Sequence, residues 1–165
     1  MKTLLIMRHG KAEDAAFGRL DRDRPLVERG ERESVRIADE LAAHGLVPDI
    51  VIASAAVRAH RTGELVAQRL GVERFAALGQ LYNAPSRTYI EALRDLSADV
   101  GTALLVGHNP TMEELVARWS GEEREMATAA LAHFALEIDD WALLDVAGRH
   151  RLLHFWKPKQ FRDNE

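Results

Sequence analysis

The sequence contains no cysteine, and this absence excludes disulfide frameworks, thiolate zinc sites and cysteine nucleophiles together. It also lacks a long apolar run. The apolar opening Leu4–Met7 is interrupted by Arg8 and His9, which makes it too short for the core of an export signal or for a membrane span. We therefore expect a soluble protein that resides in the cytoplasm.

The net charge is small as well, because 22 Lys and Arg residues stand against 26 Asp and Glu residues, for a formal charge of −4. The basic residues at 58–61 and 157–159 form short clusters rather than a stripe, so we expect neither nucleic acid nor a membrane as partner. Apolar residues make up 47% of the chain and charged residues 29%, as in ordinary globular proteins. No repeat, low-complexity tract or linker is visible, so we expect one domain over residues 1–165.

Short apolar runs alternate with segments of helical periodicity along the first two thirds of the chain. The apolar runs predict strands at 3–7, 49–53, 75–78 and 102–106. The periodic segments predict helices at 26–45, 57–70, 86–96 (with Ser86 as its cap) and 111–119. Two further strands, at 129–138 and 150–156, are predicted to pair antiparallel. Because parallel strands need crossover connections, the pattern predicts a three-layer α/β/α fold with a mainly parallel sheet and antiparallel C-terminal strands.

A histidine emerges where two of the predicted strands end. His9 follows the first strand and His108 follows the fourth, and Arg58 lies just beyond the second. A lone histidine at such a place is more often structural. Neighbouring parallel strands, however, would bring both imidazoles and the arginine to the edge of the sheet where ligands bind.

These side chains suit phosphoryl transfer. A neutral imidazole is a good nucleophile near pH 7, and adjacent guanidinium groups favour the neutral form by like-charge repulsion. The same guanidinium groups bind phosphoryl oxygens through paired hydrogen bonds. Gly10 leaves room for the backbone to approach a phosphate closely. The pattern therefore indicates a site for phosphoryl transfer in which a histidine at this edge of the sheet acts as the nucleophile.

Three segments resemble motifs of the histidine phosphatase superfamily, also called phosphoglycerate-mutase-like: Arg8-His9-Gly10, residues 54–62, and Gly107-His108-Asn109-Pro110. The resemblance implies that His9 is the residue that becomes phosphorylated. It also implies that Arg8 and Arg58 bind phosphate and that His108 is a further phosphate ligand. The implied fold is the phosphoglycerate-mutase-like fold.

The short chain and the segment from Arg24-Pro25-Leu26 to Gly30 are similar to the SixA-type phosphohistidine phosphatase branch of this superfamily. In that branch the arginine of the Arg-Pro-Leu element faces the phosphate. The resemblance therefore adds Arg24 to the implied phosphate-binding residues. The alternative is that Arg24 is an exposed loop residue in a charge-rich segment.

Two departures from the family pattern bear on function. Ala55 follows Ser54, where the family often has proline. More important, residues 80–84 contain no carboxylate, although many phosphomonoesterases of the superfamily hold their proton donor there. Losing a general acid costs an alkoxide leaving group about 10²–10⁴-fold in rate, so the absence favours phosphohistidine, with its more labile bond, over sugar phosphates. Glu13 or Asp14 in the first loop could still supply the proton.

Other polar and aromatic residues have weaker claims. Tyr82, after the third strand, and Asn109, in the second histidine motif, are possible substrate contacts. His60 lies on the helix that carries Arg58 and is a lesser candidate for lining the site. We expect structural roles for three tryptophans and four further histidines: Trp119, Trp141, Trp156, His44, His133, His150 and His154. No metal-ligand spacing appears, so we expect neither a metal nor a cofactor.

The sequence thus predicts a metal-independent phosphatase that forms a phosphohistidine intermediate on His9. Its expected substrate is phosphohistidine on a protein. The alternatives are a phosphomonoesterase of the same superfamily that acts on small molecules and a non-catalytic module that binds phosphate. A mutase is disfavoured, because so short a chain lacks insertions that would enclose a bisphosphate.

Overall fold

Strands and helices alternate through the first 120 residues, as the sequence pattern predicts. The computed structural model describes residues 1–164, and Glu165, the last residue of the predicted domain, lies outside the described residues. The strands are β1 (Lys2–Arg8), β2 (Ile50–Ser54), β3 (Phe75–Leu78), β4 (Thr102–Gly107), β5 (Leu131–Leu136) and β6 (Arg151–Trp156). The α-helices are α1 (Glu28–Ala43), α2 (Val57–Leu70), α3 (Ser86–Arg94) and α4 (Thr111–Ser120). Short 3-10 helices lie at Asp21–Asp23, Gly79–Leu81, Trp141–Leu143 and Pro158–Asn164.

The six strands form one sheet in the order β3-β2-β4-β1-β5-β6. Strands β1 to β4 pair in parallel, whereas β5 and β6 are antiparallel additions beside β1, so the predicted mixed α/β architecture is confirmed. The parallel β1–β4 register aligns Arg8 with Gly107. The residues that follow these two, His9 and His108, therefore leave the sheet side by side.

Alternating side chains of the central strands build two separate apolar layers. Leu5 and Met7 of β1 pack with residues of α1 and α2, such as Leu41 and Val66. Leu4 and Ile6 belong to the opposite layer, which contains α3, α4 and the fully buried Trp119 and Trp141. Both faces of the sheet are thus covered, as parallel strands require. Trp156 is also buried, so all three tryptophans pack in the interior as expected.

Two element boundaries differ from the prediction. The first helix begins at Glu28 rather than at Leu26, because Leu26 pairs with Ala12 in an isolated antiparallel bridge. Ser86 does not cap α3. The cap position is Pro85, which makes no side-chain cap bond, and the Ser86 hydroxyl donates to Glu114 of the neighbouring helix at 3.3 Å.

Within residues 1–164, none of the helices has the length and apolar character that crossing a membrane requires.

Candidate active site

A cavity of about 240 Å³ opens at the carboxyl ends of β1 and β4. Six of the residues nominated from the sequence line it: Arg8, His9, Arg24, Arg58, His108 and Asn109. The imidazoles of His9 and His108 are both buried, and their ring centroids lie 5.2 Å apart. Lys11, Asp14, Asn83 and Thr128 complete the lining together with Ala12. The structure therefore joins residues from distant parts of the chain in one polar cavity.

The ring of His9 is held in one tautomer by the backbone beside it. Its Nδ1 lies 2.7 Å from the carbonyl oxygen of Gly10. Because a carbonyl can only accept a hydrogen bond, Nδ1 must carry the ring proton and donate it, which leaves the lone pair on Nε2. Burial lowers the pKa of His9 to about 3, with smaller contributions from His108, Arg58 and Arg8, while the Gly10 bond acts in the opposite direction. His9 is therefore a neutral imidazole at pH 7, the form that can attack phosphorus.

The ring of His108 is oriented by Ser54, the last residue of β2. Nε2 of His108 lies 2.9 Å from the Ser54 hydroxyl oxygen, which also accepts the amide N–H of Ala56 at 3.3 Å. The hydroxyl proton of Ser54 is thus available for Nε2, and we assign the ring proton of His108 to Nδ1. That Nδ1 is buried and has no hydrogen-bond partner in the described part of the chain. Burial, reinforced by Arg58, lowers the pKa of His108 to about 4.

Three arginines reach the cavity from three different elements. Arg8 ends β1, Arg58 occupies the first turn of α2, and Arg24 follows the 3-10 helix Asp21–Asp23. Arg58 is only 6% exposed, although it carries a charge. Arg24 is tied to the loop by its Nη1, which donates to the carbonyl of Glu13 at 2.7 Å. The sequence left open whether Arg24 is merely an exposed loop residue. The structure places it in the cavity lining.

The carboxylate of Asp21 connects two of these arginines. Its Oδ1 accepts from Arg24 Nε at 2.9 Å, and its Oδ2 accepts from Arg58 Nη2 at 3.0 Å. Arg58 Nη1 also donates to the Asp21 backbone carbonyl at 2.8 Å. Sequence reasoning gave Asp21 no role, although its position three residues before Arg24 in a cluster of aspartates and arginines was a usable signal.

Thr62 is a second residue whose part the sequence did not reveal. The buried Thr62 hydroxyl accepts the amide N–H of Gly10 at 2.9 Å and donates to the carbonyl of Arg58, four residues earlier, at 2.7 Å. One hydroxyl therefore links the backbone after His9 to the helix turn that carries Arg58.

The structure gives a reason for glycine at position 10 that differs from the one inferred from the sequence. A Cβ added there would lie 2.7 Å from the Gly30 carbonyl oxygen and 3.0 Å from the Ser34 hydroxyl. The missing side chain therefore makes room for α1. Gly10 is not among the residues that line the cavity, so its contact with phosphate stays a prediction.

Tyr82 is not among the residues that line the cavity, so its contact with substrate stays a prediction. Its ring lies edge-on to His108, with centroids 5.8 Å apart, and its hydroxyl donates to Asp21 Oδ2 at 2.6 Å. Of the two carboxylates considered as proton donors, Asp14 lines the cavity, whereas Glu13 is paired with Arg19 at 2.6 Å. Asp14 is thus the carboxylate placed to reach a bound group.

The other histidines lie away from this cavity. His60 packs edge-on against Phe75 and lines a separate surface depression. His133 and His154 are joined through their Nδ1 atoms at 2.9 Å, and the ring of His44 lies edge-on to that of His154. Among the side chains that the structure describes, no group of three or more His, Asp or Glu residues is arranged to hold a metal ion.

Known proteins share both sequence and fold with this chain. Residues 4–81 match the model of the histidine phosphatase superfamily (branch 1). The chain is 34% identical over 146 residues to an uncharacterized protein of Mycobacterium tuberculosis H37Rv, covering 86% of this chain and 88% of that protein.

Solved structures extend the likeness to the whole fold. SixA from Agrobacterium tumefaciens is 31% identical and superposes with a TM-score of 0.82, over 95% of this chain and 98% of that one. The protein histidine phosphatase SixA complexed with tungstate is 26% identical, with a TM-score of 0.81 over 97% of this chain and 99% of that one. The chain therefore belongs to the SixA-type branch of the histidine phosphatase superfamily, and its enzyme class is that of a phosphatase.

Proposed function

We propose that this protein removes the phosphoryl group from phosphohistidine on another protein, through a covalent phosphohistidine intermediate on His9. The observation that carries the proposal is the fixed tautomer of His9. The Nδ1–Gly10 hydrogen bond leaves an unprotonated Nε2 in a cavity lined by three arginines.

In the first step, the Nε2 lone pair of His9 attacks phosphorus and the bond from phosphorus to the substrate nitrogen breaks. Guanidinium groups of Arg8, Arg24 and Arg58 hold the equatorial oxygens as negative charge spreads over them. The Nδ1–H group of His108 donates a hydrogen bond to another of these oxygens. Each such charge-assisted hydrogen bond is typically worth about 1.5–3 kcal/mol.

In the second step, water attacks the phosphorus of the phosphoenzyme. The bond to Nε2 breaks, inorganic phosphate leaves, and His9 returns to its neutral form. Because arginines supply the positive charge around the phosphoryl oxygens, we propose that neither step needs a metal ion. The rate should accordingly be unchanged in the presence of EDTA.

The leaving group favours phosphohistidine as the substrate. A phosphorylated imidazole that is protonated on its distal nitrogen departs as a neutral ring, so the enzyme need not supply a proton. The site fits this requirement, because the segment after β3 contributes Asn83 to the cavity lining rather than a carboxylate. A solved relative is described as a protein histidine phosphatase, which also supports a protein substrate.

A specific observation supports one alternative within the enzyme class. Asp14 lines the cavity and could protonate an alkoxide, as hydrolysis of a small phosphate ester requires. A comparison of turnover on a phosphohistidine protein and on a panel of sugar phosphates separates the two substrates. Strong preference for a sugar phosphate would overturn the proposal for phosphohistidine.

The enzymatic step is tested with His9→Ala beside the wild type, using His60→Ala as a matched control outside the cavity. We expect His9→Ala to lose at least about 10³-fold in rate and His60→Ala to keep wild-type activity. After a brief reaction with labelled substrate, the wild type should retain an acid-labile, alkali-stable label that His9→Ala lacks. Equal rates in wild type and His9→Ala, or no hydrolysis by either, would instead favour a non-catalytic module that binds phosphate.

A further inference from the structure

Two of the arginines that line this cavity, Arg24 and Arg58, reach it from different segments of the chain. Arg58 lies on α2, whereas Arg24 lies in the loop between β1 and α1. Both are long side chains, and fixing such a side chain costs rotamer entropy. A group that fixes them before the substrate arrives therefore improves phosphate binding.

Asp21 has the geometry for this task. Its two carboxylate oxygens receive Arg24 Nε at 2.9 Å and Arg58 Nη2 at 3.0 Å, and its backbone carbonyl receives Arg58 Nη1 at 2.8 Å. Tyr82 adds a fourth bond, from its hydroxyl to Oδ2 at 2.6 Å. The hydrogen bond from Tyr82, followed by those from Arg58 and Arg24, holds the pKa of the Asp21 carboxyl well below its ordinary value. The carboxylate is therefore ionised throughout the working pH range.

Asp21 supports the arginines from outside the cavity. Arg24 and Arg58 line the cavity, whereas Asp21 and Tyr82 do not. Asp21 thus bonds to both guanidinium groups without itself lining the cavity. The Tyr82 ring also contacts both His108, at 5.8 Å between centroids, and the Arg58 guanidinium, at 6.0 Å from the ring centroid.

We propose that Asp21 is a positioning residue that sets the spacing of Arg24 and Arg58 for the phosphoryl group, with Tyr82 holding the carboxylate in place. This inference rests on the proposed function for the identity of the reaction. The binding of a phosphate-like anion can be tested even if the proposed function is wrong.

Removing the Asp21 charge has two opposite effects on anion affinity. It disorders the arginines, which weakens binding, but it also makes the cavity more positive, which strengthens binding. The Asp21 side chain is 50% exposed, so solvent screens its charge, whereas the hydrogen bonds that orient the arginines are short-range. Disorder should therefore outweigh the gain in positive charge.

The test uses tungstate as a probe, with its dissociation constant measured by calorimetry on the full chain. We expect Asp21→Asn to raise the dissociation constant about 10-fold and Tyr82→Phe to raise it about 3-fold. Asp23→Asn is the matched control, because Asp23 lies in the same 3-10 turn and its carboxylate has no hydrogen bond or ion pair among the described residues. Its dissociation constant should stay within about twofold of the wild type, as for other surface changes.

Two results would overturn the proposal. Unchanged affinity for tungstate in both Asp21→Asn and Tyr82→Phe would show that Arg24 and Arg58 do not depend on Asp21 for their position. Tighter binding in Asp21→Asn would show that the carboxylate competes with the anion for the arginines. Should Asp21→Asn fail to fold, Tyr82→Phe alone decides, since it removes one hydrogen bond and keeps every charge.

Kinetics separate positioning from a general loss of structure. A variant that merely reduces the folded fraction lowers the apparent kcat and leaves KM unchanged, whereas Asp21→Asn should act mainly by raising KM. The outcome is also distinct from that of the proposed function. If the wild type binds tungstate but does not hydrolyse phosphohistidine, the proposed function is wrong. If Asp21→Asn has full activity and a wild-type KM, only the positioning role of Asp21 is wrong.

Discussion

The amide N–H of Gly10 donates to the Thr62 hydroxyl at 2.9 Å, and this bond joins the segment that follows β1 to α2. Thr62 passes the connection on by donating to the carbonyl of Arg58 at 2.7 Å. The backbone beside His9 and the helix turn of Arg58 are therefore fixed relative to each other by one buried hydroxyl. This matters because His9 and Arg58 are both proposed to act on the same phosphoryl group, and their relative position is held by this pair of hydrogen bonds.

Replacing Thr62 by Val keeps the shape of the side chain but leaves the Gly10 N–H unsatisfied. An unsatisfied buried donor costs about 1–3 kcal/mol, so the free energy of unfolding should fall by that amount. We expect kcat/KM to fall about 10-fold or more, because His9 and Arg58 lose their common anchor. Thr62→Ser is the control, since it retains the hydroxyl and should keep most of the activity. Full activity and stability in the Val variant would contradict the prediction, because that variant lacks the hydroxyl that binds the Gly10 N–H.

The close approach of Gly10 to α1 predicts a stability effect. A methyl group there would meet the Gly30 carbonyl oxygen at 2.7 Å, so we expect Gly10→Ala to lose about 1–3 kcal/mol in the free energy of unfolding. Gly79→Ala makes a matched control, because nothing lies within 4 Å of its added Cβ. Urea denaturation of both variants measures the difference. A Gly10→Ala protein as stable as Gly79→Ala would contradict the packing explanation.

The low pKa values of the two site histidines predict an acid-sensitive fold. His9 has a pKa of about 3 and His108 of about 4 when folded, compared with about 6.5 for an unperturbed histidine. The unfolded chain therefore binds more protons than the folded one in this interval. Stability is fully present above pH 6.5 and is lost as pH falls towards 3.

Imidazole NMR titration checks the same point directly, and both rings should stay neutral at pH 5. The double variant His9→Gln/His108→Gln should have a flatter dependence of unfolding free energy on pH between 6.5 and 4. A midpoint near 6.5 for either ring in the folded protein would contradict this prediction.

Asp14 allows the choice of substrate to be examined through a single side chain. If Asp14 protonates leaving groups, Asp14→Asn should slow hydrolysis of a phosphate ester by about 10²–10⁴-fold. Hydrolysis of phosphohistidine should change less than about threefold, because its neutral imidazole needs no acid. Glu13→Gln serves as the control, since Glu13 is held by Arg19. A comparable loss on both substrates would show that Asp14 acts on the phosphoryl group rather than on the leaving group.

The fold could be predicted from the sequence because its periodic signals are strong. The bounds of α2 and β3 match the predicted 57–70 and 75–78, and Gly71 adopts the left-handed conformation that ends α2. The prediction that Ser86 caps α3 was wrong, because the Ser86 hydroxyl donates to Glu114 of α4, a partner that only the tertiary fold provides. Local propensity could not reveal that competition.

The candidate site was predictable only in part, for a similar reason. Residues beside apolar strands, such as His9 and His108, carry a positional signal in the sequence. Asp21 and Tyr82 lie in polar connecting segments, and they meet only because the loop after β1 folds back over α2. Such a meeting depends on long-range packing, which spacing along the chain does not encode.

The alignment of Arg8 with Gly107 has a consequence for how the protein folds during its synthesis. The first half of the chain supplies His9 and the three arginines, but the wall formed by His108 and Thr128 is synthesised much later. Bringing such distant segments together requires closure of a long loop. A nascent chain therefore carries the proposed nucleophile His9 before it carries a complete pocket, and we expect it to accept a phosphoryl group only after β4 inserts between β1 and β2.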